Sequence, residues 1–339
     1  MVREYLGILD HEDPVRNILT SQVMPQLGVS ALDLEFRVYR LGGSNAVFEY
    51  DHEPSGRRVV GKFFGDLGAG STRRALSRMW RELRAIRRME RIGLQGFPHH
   101  VARALAFSPE HGSAIFLEHL RGETLGVALR GVAEGSKPPD VLFGRLTALA
   151  YFLATMHNRS VREELVEFHG DVHYVKRLAA DLRSHQHMSE RQLHELERLA
   201  DGWASCVSMW QDRQVCLHGD ATPENFLFTD GIWVGGIDFE RSHYGDRVFD
   251  VGRVAGELQH QFLLSRGSRQ AAEPFIGHFL WEYACHFPDR HAAFHHICKR
   301  VPFHMATTLL RIARHPWIQR EYRAHLVLAA RDAISASGL

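Results

Sequence analysis

Lysine is scarce in this chain. Only four of its 41 basic side chains are lysines, at Lys62, Lys137, Lys176 and Lys299, and the rest are arginines. A lysine set among apolar residues therefore asks for a reason. An excess of one charge is also lacking: 41 basic side chains face 40 acidic ones, for a net charge of +1. That balance argues against nucleic-acid binding as the main activity, which calls for a basic excess. Cysteine is sparse, and Cys206, Cys216, Cys285 and Cys298 form no C-x-x-C pair. They read as reduced thiols of a cytoplasmic protein rather than as a disulfide framework. Long apolar runs are missing too. The longest helix-like one, near Leu146–Met156, falls short of the roughly 18 residues a membrane span needs. The opening MVREYLGILDHEDPV lacks the basic and apolar regions of a signal peptide.

What is present is ordinary for a globular protein. The 339 residues are 45% hydrophobic and 24% charged, which suits one large domain or two lobes. Histidine is plentiful, and His286, His291, His295, His296 and Cys298 are its densest cluster. His291 and His295 are one helical turn apart and could share a metal ion. No H-E-x-x-H or finger spacing accompanies them, so they read as helix-surface or packed histidines.

The patterning divides the chain. Residues 12–28 read as a helix interrupted near Pro25. Three strand-like runs come next, at 32–41, 46–53 and 58–65, separated by Gly and Pro signals. Leu76, Met79, Trp80, Leu83, Ile86 and Met89 mark a long helix between Ala69 and Ile92. Strand candidates at 101–110 and 113–120 complete an α+β lobe with a β-rich sheet. After Gly122 helices dominate, interrupted by a β island within 214–240. The reading is a small β-rich N-terminal lobe, a hinge near 118–122, and a larger, mostly helical C-terminal lobe.

The β island carries the chemistry-bearing residues. HGDATPENFLF sets Asp220 and Asn225 on one short loop, and Asp238 ends the apolar strand of VGGIDFE. A carboxylate and an amide carbonyl are hard oxygen ligands that suit Mg²⁺. A second aspartate at the start of the loop is then left to accept a hydroxyl proton, as phosphoryl transfer requires.

H-G-D-x-x-x-x-N, then I-D-F-E, then G-D-x-x-x-D resembles the signature of the aminoglycoside phosphotransferase and choline kinase superfamily. These are small-molecule kinases of protein-kinase-like fold. The resemblance implies that Asp220 is the catalytic aspartate, that Asn225 and Asp238 hold Mg²⁺, and that His218 and Asp250 are structural. It implies a nucleotide-binding lobe over 1–119 and a catalytic, acceptor-binding lobe over 120–339.

The N-terminal lobe carries matching residues. In LGGSNAVFEY, Gly42, Gly43, Ser44 and Asn45 suit a hairpin over phosphates. Lys62, in VVGKFF, needs an anion if buried, and Glu82, in WRELRAI, or ATP phosphates would supply one. Glu118, His119 and Leu120 would form the adenine hinge through backbone groups, with Phe116 at its back wall. A second triplet, His169-Gly170-Asp171, lacks the asparagine five residues on and reads as a loop before a helix. No Walker sequence, H-R-D loop or A-P-E segment is present.

The resemblance implies an ATP- and Mg²⁺-dependent phosphotransferase acting on a hydroxyl of a small molecule, with an amino sugar as the first acceptor class. A choline- or ethanolamine-type amino alcohol is the alternative, and a silent nucleotide-binding pseudokinase a further one. Glu240, Asp246 and Glu257 are candidates to hold an amine or hydroxyl. Trp281, Tyr283 and Trp317 are candidates to stack on a sugar or cation.

Overall fold

The computed structural model describes residues 3–30, 34–42, 46–65 and 72–335. Chain contacts divide these into two compact units. The first holds residues up to Gly96, then His100–Arg121 and Gly235–Arg241; the second holds Phe97–His99, Gly122–Val234 and Ser242 onward.

The first unit is built on a six-stranded antiparallel sheet. In chain order its strands are β1 (Arg3–Ile8), β2 (Arg37–Leu41), β3 (Ala46–His52), β4 (Arg57–Phe63), β6 (Ala104–Ser108) and β7 (Ala114–Glu118), with a short β5 (His99–Val101) outside it. Their order across the sheet is β1-β2-β3-β4-β7-β6. The meander β2-β3-β4 matches the three strand-like runs of the sequence. The edge strand β1 is not legible there, because its alternation exposes nearly every residue and so leaves no apolar face to read. Residues 14–27 form one short α-helix, α1 (Pro14–Ile18), and then π and 3₁₀ turns. Phe36, Tyr50, Val59, Phe63 and Phe116 belong to this unit's core.

Helix α2 (Arg73–Arg91) begins at Thr72, whose hydroxyl accepts from the Ala75 amide, satisfying one donor of the first turn. Its Met79, Leu83, Ile86 and Met89 are buried. Glu82 falls on the same stripe, and it too is fully buried.

The second unit is mostly helical. Its elements are β8 (Glu123–Thr124), α3 (Leu125–Glu134), α4 (Pro139–Asn158), α5 (His169–Ser184), α6 (Glu190–Ala204), the short strands β9 (Val215–Cys216) and β10 (Phe226–Phe228), β12 (Tyr244–Gly245), α7 (Val248–Arg266), α8 (Glu273–Ala284), α9 (Arg290–Ala313) and α10 (Arg320–Ser335). β11 (Val234–Gly236) ends at the border of the two units. Residues 169–171 form the first turn of α5 rather than the expected loop, because the Asp171 and Val172 amides close onto the Phe168 carbonyl.

Helices α7 and α9 pack unusually close. A Cβ at Gly252 would lie 2.5 Å from the His304 Cβ, and one at Gly256 would lie 2.7 Å from the Thr308 Cβ. Two glycines one turn apart therefore let the backbones approach as no larger residue would allow. A core of Phe168, Trp203, Phe303, Leu309 and Leu326 ties α5, α6, α9 and α10 together. Among the described residues, no helix is long and apolar enough to cross a membrane.

Candidate active site

The first unit brings four of the sequence-read residues together. Lys62, on β4, is 5% exposed. Its Nζ lies 2.7 Å from Glu82 Oε2, 2.7 Å from Asp238 Oδ1 and 3.4 Å from Glu240 Oε2. Burial alone would lower the Lys62 pKa, but the carboxylates of Glu82, Asp238 and Glu240 outweigh it and raise the value. Burial raises Glu82 to about 7 against the opposing pull of Lys62. The ion pairs explain why a lysine occupies an apolar strand: its charge is held by carboxylates rather than by water.

Asp238 adopts φ +63°, the left-handed region that a non-glycine residue enters only at a cost. That backbone turn ends β11 and brings the carboxylate to Lys62. Glu240 also accepts from Arg78, at 3.1 Å. Among the described residues, Glu82, Asp238 and Glu240 are a group of carboxylates whose oxygens lie within 4.8 Å of one another. Such hard donors suit a divalent cation of the magnesium type.

Glu118 ends β7, and its amide donates to the Arg103 carbonyl at 3.0 Å. That pairing occupies the Glu118 amide, one of the backbone groups of Glu118, His119 and Leu120 expected to form the adenine hinge. Its carboxylate takes His100 Nε2 and Arg103 Nε at 3.1 and 3.0 Å. Burial would raise its pKa, but these hydrogen bonds win and lower it to about 2. Leu120, two residues past the end of β7, enters no backbone hydrogen bond among the described residues. Phe116 is fully buried and packs edge-on against Phe63. Gly42 ends the described part of its turn, and Gly43, Ser44 and Asn45 lie outside the described residues.

The second unit holds the loop that the sequence reading expects to be catalytic. Asp250, in the first turn of α7, accepts from the His218 amide at 2.6 Å and the Gly219 amide at 3.0 Å. His157 Nε2 lies 3.2 Å from the same carboxylate. Burial would raise the Asp250 pKa, but the His157 and His218 contacts overcome it and hold the group ionised. A buried aspartate thus tethers the loop by two charge-assisted hydrogen bonds. His157 is fixed in turn by the Tyr283 hydroxyl, 2.7 Å from its Nδ1. The His218 ring packs on Phe226.

Asp220 comes directly after. Its backbone carbonyl accepts from Asn225 Nδ2 at 2.8 Å, which fixes the amide so that its own carbonyl oxygen is the remaining hard ligand. The Asp220 carboxylate lies 2.8 Å from Arg253 Nη1 and 3.8 Å from Arg311 Nη1. Arg311 also pairs with Glu257 at 2.8 Å. Burial raises the Glu257 pKa, with Arg311 and Arg253 opposing it.

Several acceptor-side expectations change. Asp246 is 2% exposed and pairs with Arg300 at 2.8 Å, so it holds α9 rather than an amine. Tyr283 is fully buried and bonded to His157, so it cannot stack on a ligand. Trp317 is exposed but lies flat on His315 at 4.3 Å. Trp281 packs against His291 and Phe294. His286 stacks on Tyr151, and the histidine-rich stretch forms no three-ligand group among the described residues.

Sequence reasoning passes over Arg253, Arg311, Arg78 and His157. Arg253 carries a readable signal: Asp250, Arg253 and Glu257 stand at i, i+3, i+7 on one helix face. Arg311, amid Leu309, Leu310 and Ile312, carries the same signal of a charge inside an apolar run.

A family model described as the phosphotransferase enzyme family matches residues 35–285. No curated protein matches the chain by sequence. Solved structures match it in fold. Amicoumacin kinase with AMP-PNP and Ca²⁺ aligns at TM-score 0.59 and 16% identity, covering 96% of this chain and 94% of that one. The streptomycin–ATP ternary complex of APH(2'')-IIa aligns at 0.57 and 12%, covering 96% and 99%. Choline kinase from Streptococcus pneumoniae aligns at 0.55 and 15%, covering 96% and 100%. These likenesses fix the fold as α+β and protein-kinase-like. With the family model spanning most of its length, the chain belongs to the phosphotransferase enzyme family and is an enzyme of the small-molecule kinase type.

Proposed function

We propose that the enzyme transfers the terminal phosphoryl group of ATP, with Mg²⁺, to a hydroxyl of a small molecule. The observation that carries this reading is the buried Lys62, paired at 2.7 Å with both Glu82 and Asp238. A lysine held between a helix glutamate and a strand-end aspartate is the grip that phosphoryl transfer places on a nucleotide.

Asp220 orients the acceptor hydroxyl and accepts its proton. Asp250 holds the loop that presents it, and Arg253 fixes the carboxylate from the side. Lys62 engages the nucleotide's phosphates and Glu82 keeps Lys62 aimed. Gly42 and the sequence-read Gly43, Ser44 and Asn45 are assigned to the phosphates, and backbone groups of Glu118 and Leu120 to the base. Asn225 and Asp238 would hold Mg²⁺, which when bound neutralises charge on the phosphates. Amino sugars are the first acceptor class, supported by the streptomycin complex among the fold relatives. Amino alcohols come second, supported by the choline kinase relative. Work in the cytoplasm, where ATP is plentiful, fits the reduced thiols.

The test is a Mg·ATP turnover screen across aminoglycosides, amino alcohols and sugars, with Asp220→Ala beside the wild type. Asp220→Ala is expected to lower turnover on the order of 10³-fold or more while still binding nucleotide. Wild-type turnover in that variant would falsify the assignment. Nucleotide binding with no transfer to any acceptor would replace it with the silent-module reading.

A further inference from the structure

A cavity of about 690 Å³ opens on α2 in the first unit, and its charge is one-sided. Arg73, Arg74, Arg78 and Arg81 line it from the helix, and Arg241 and Glu240 line it from the chain just after Asp238. Among the described residues that line it, five are arginines and one, Glu240, is a carboxylate. That carboxylate is already shared, since Glu240 Oε2 is 3.1 Å from Arg78 and 3.4 Å from Lys62. No ion pair engages Arg73, Arg74 or Arg81 among the described residues.

The arrangement works against the helix that carries it. Arg74 and Arg78 are i, i+4 and Arg78 and Arg81 are i, i+3, so like charges stack along one stripe. Arg73 and Arg74 sit in the first turn, where the helix dipole disfavours cations, and no acidic residue is there to offset them. Local rules broken at Arg73, Arg74 and Arg81, with no ion pair to offset them among the described residues, mark a functional surface. The missing partner is an anion.

We infer that this arginine-lined cavity is a binding site for a small, multiply charged phosphorylated molecule, separate from the nucleotide grip at Lys62. The guanidinium fork matches phosphate oxygens two at a time. The volume lies in the range of small-molecule sites and far exceeds a single orthophosphate. Several guanidinium groups within one cavity call for several negative charges, as in a diphosphate or longer. Arg78 is both a wall of the cavity and the partner of Glu240.

Isothermal titration of the full chain with inorganic pyrophosphate, without divalent cations, tests this. The wild type is expected to bind, and to bind orthophosphate at equal ionic strength at least tenfold more weakly. Arg74→Gln with Arg81→Gln, both on exposed positions, is expected to weaken pyrophosphate binding at least tenfold. Lys62→Met is expected to leave it within twofold. Absence of binding by the wild type, equal affinity for the two anions, or wild-type affinity in the double variant would each overturn the site. Loss in Lys62→Met with retention in the double variant would place the anion at Lys62 and overturn it as well. None of these results bears on ATP turnover, so the phosphotransfer reading stands or fails by its own assay.

Discussion

Arg253 reaches Asp220 from the next turn of the helix that tethers the loop. Its Nη1 lies 2.8 Å from Asp220 Oδ1, and Asp250, three residues earlier on α7, holds the His218 and Gly219 amides. One helix therefore fixes both the backbone and the carboxylate of the same loop. Truncating Arg253 leaves Asp220 and Glu257 facing a single remaining guanidinium in a poorly solvated place.

Arg253→Ala is accordingly expected to destabilise the protein by on the order of 3 kcal/mol, because a nearly buried ion pair loses one partner. Arg253→Lys keeps the charge but not the fork and should recover much of that stability. On the proposed reaction, both variants should lower kcat with little change in the KM for ATP. Urea unfolding beside steady-state kinetics checks this, and an Arg253→Ala protein as stable as wild type would contradict it.

Gly256→Ala should cost about 1–3 kcal/mol through overpacking, since its Cβ would enter the space of the Thr308 side chain. Gly252→Ala should cost at least as much, because the His304 Cβ is nearer still. Thermal unfolding measures both. An unshifted midpoint in either variant would show that α7 and α9 part without penalty.

Asp238→Asn should remain folded, because asparagine tolerates the left-handed backbone at this position. Asp238→Ala adds a strain of about 1 kcal/mol at the same φ and should unfold at lower urea. Both variants should weaken Mg·ATP binding, and a calorimetric titration matching wild type would count against the metal role of Asp238.

Acid should destabilise the second unit through its buried histidines, against a smaller opposing contribution from Asp171, whose burial raises its pKa to about 7. Burial lowers the pKa of His99 to about 4, of His260 to about 4 and of His304 to about 3, with nearby cations adding to the effect. Their ordinary value is 6.5. Between pH 6.5 and about 4 the unfolded chain therefore binds protons that the folded chain refuses. Their contribution is fully present above pH 6.5 and falls as pH drops through that window, by up to roughly 1.4 kcal/mol per pH unit for each proton. Urea midpoints at pH 7.5, 6 and 5 should decline in that order, and a flat series would refute the argument.

The reading from sequence reached furthest where a motif compresses chemistry into a few residues. Asp220, Asn225 and Asp238 lie within nineteen positions of one another, and periodicity placed the helix bearing Glu82. Spacing could not say which partners a charge finds across the fold. Asp246 and Asp250 looked alike as acids of one motif, yet one closes on Arg300 and the other on backbone amides. The two H-G-D triplets show the same limit. His218-Gly219-Asp220 is held by an aspartate some thirty residues away, whereas His169-Gly170-Asp171 simply opens a helix. That difference is tertiary and leaves no local trace.

Lys62 offers a way to time the molecule. The side chains of Lys137, Lys176 and Lys299 are partly or wholly open to solvent, whereas that of Lys62 is 6% exposed and its amine is held by three carboxylates. A water-borne acylating reagent would label the first three at once and reach Lys62 only when its cluster comes apart. The slow fourth modification, read by mass spectrometry, then acts as a clock for that opening.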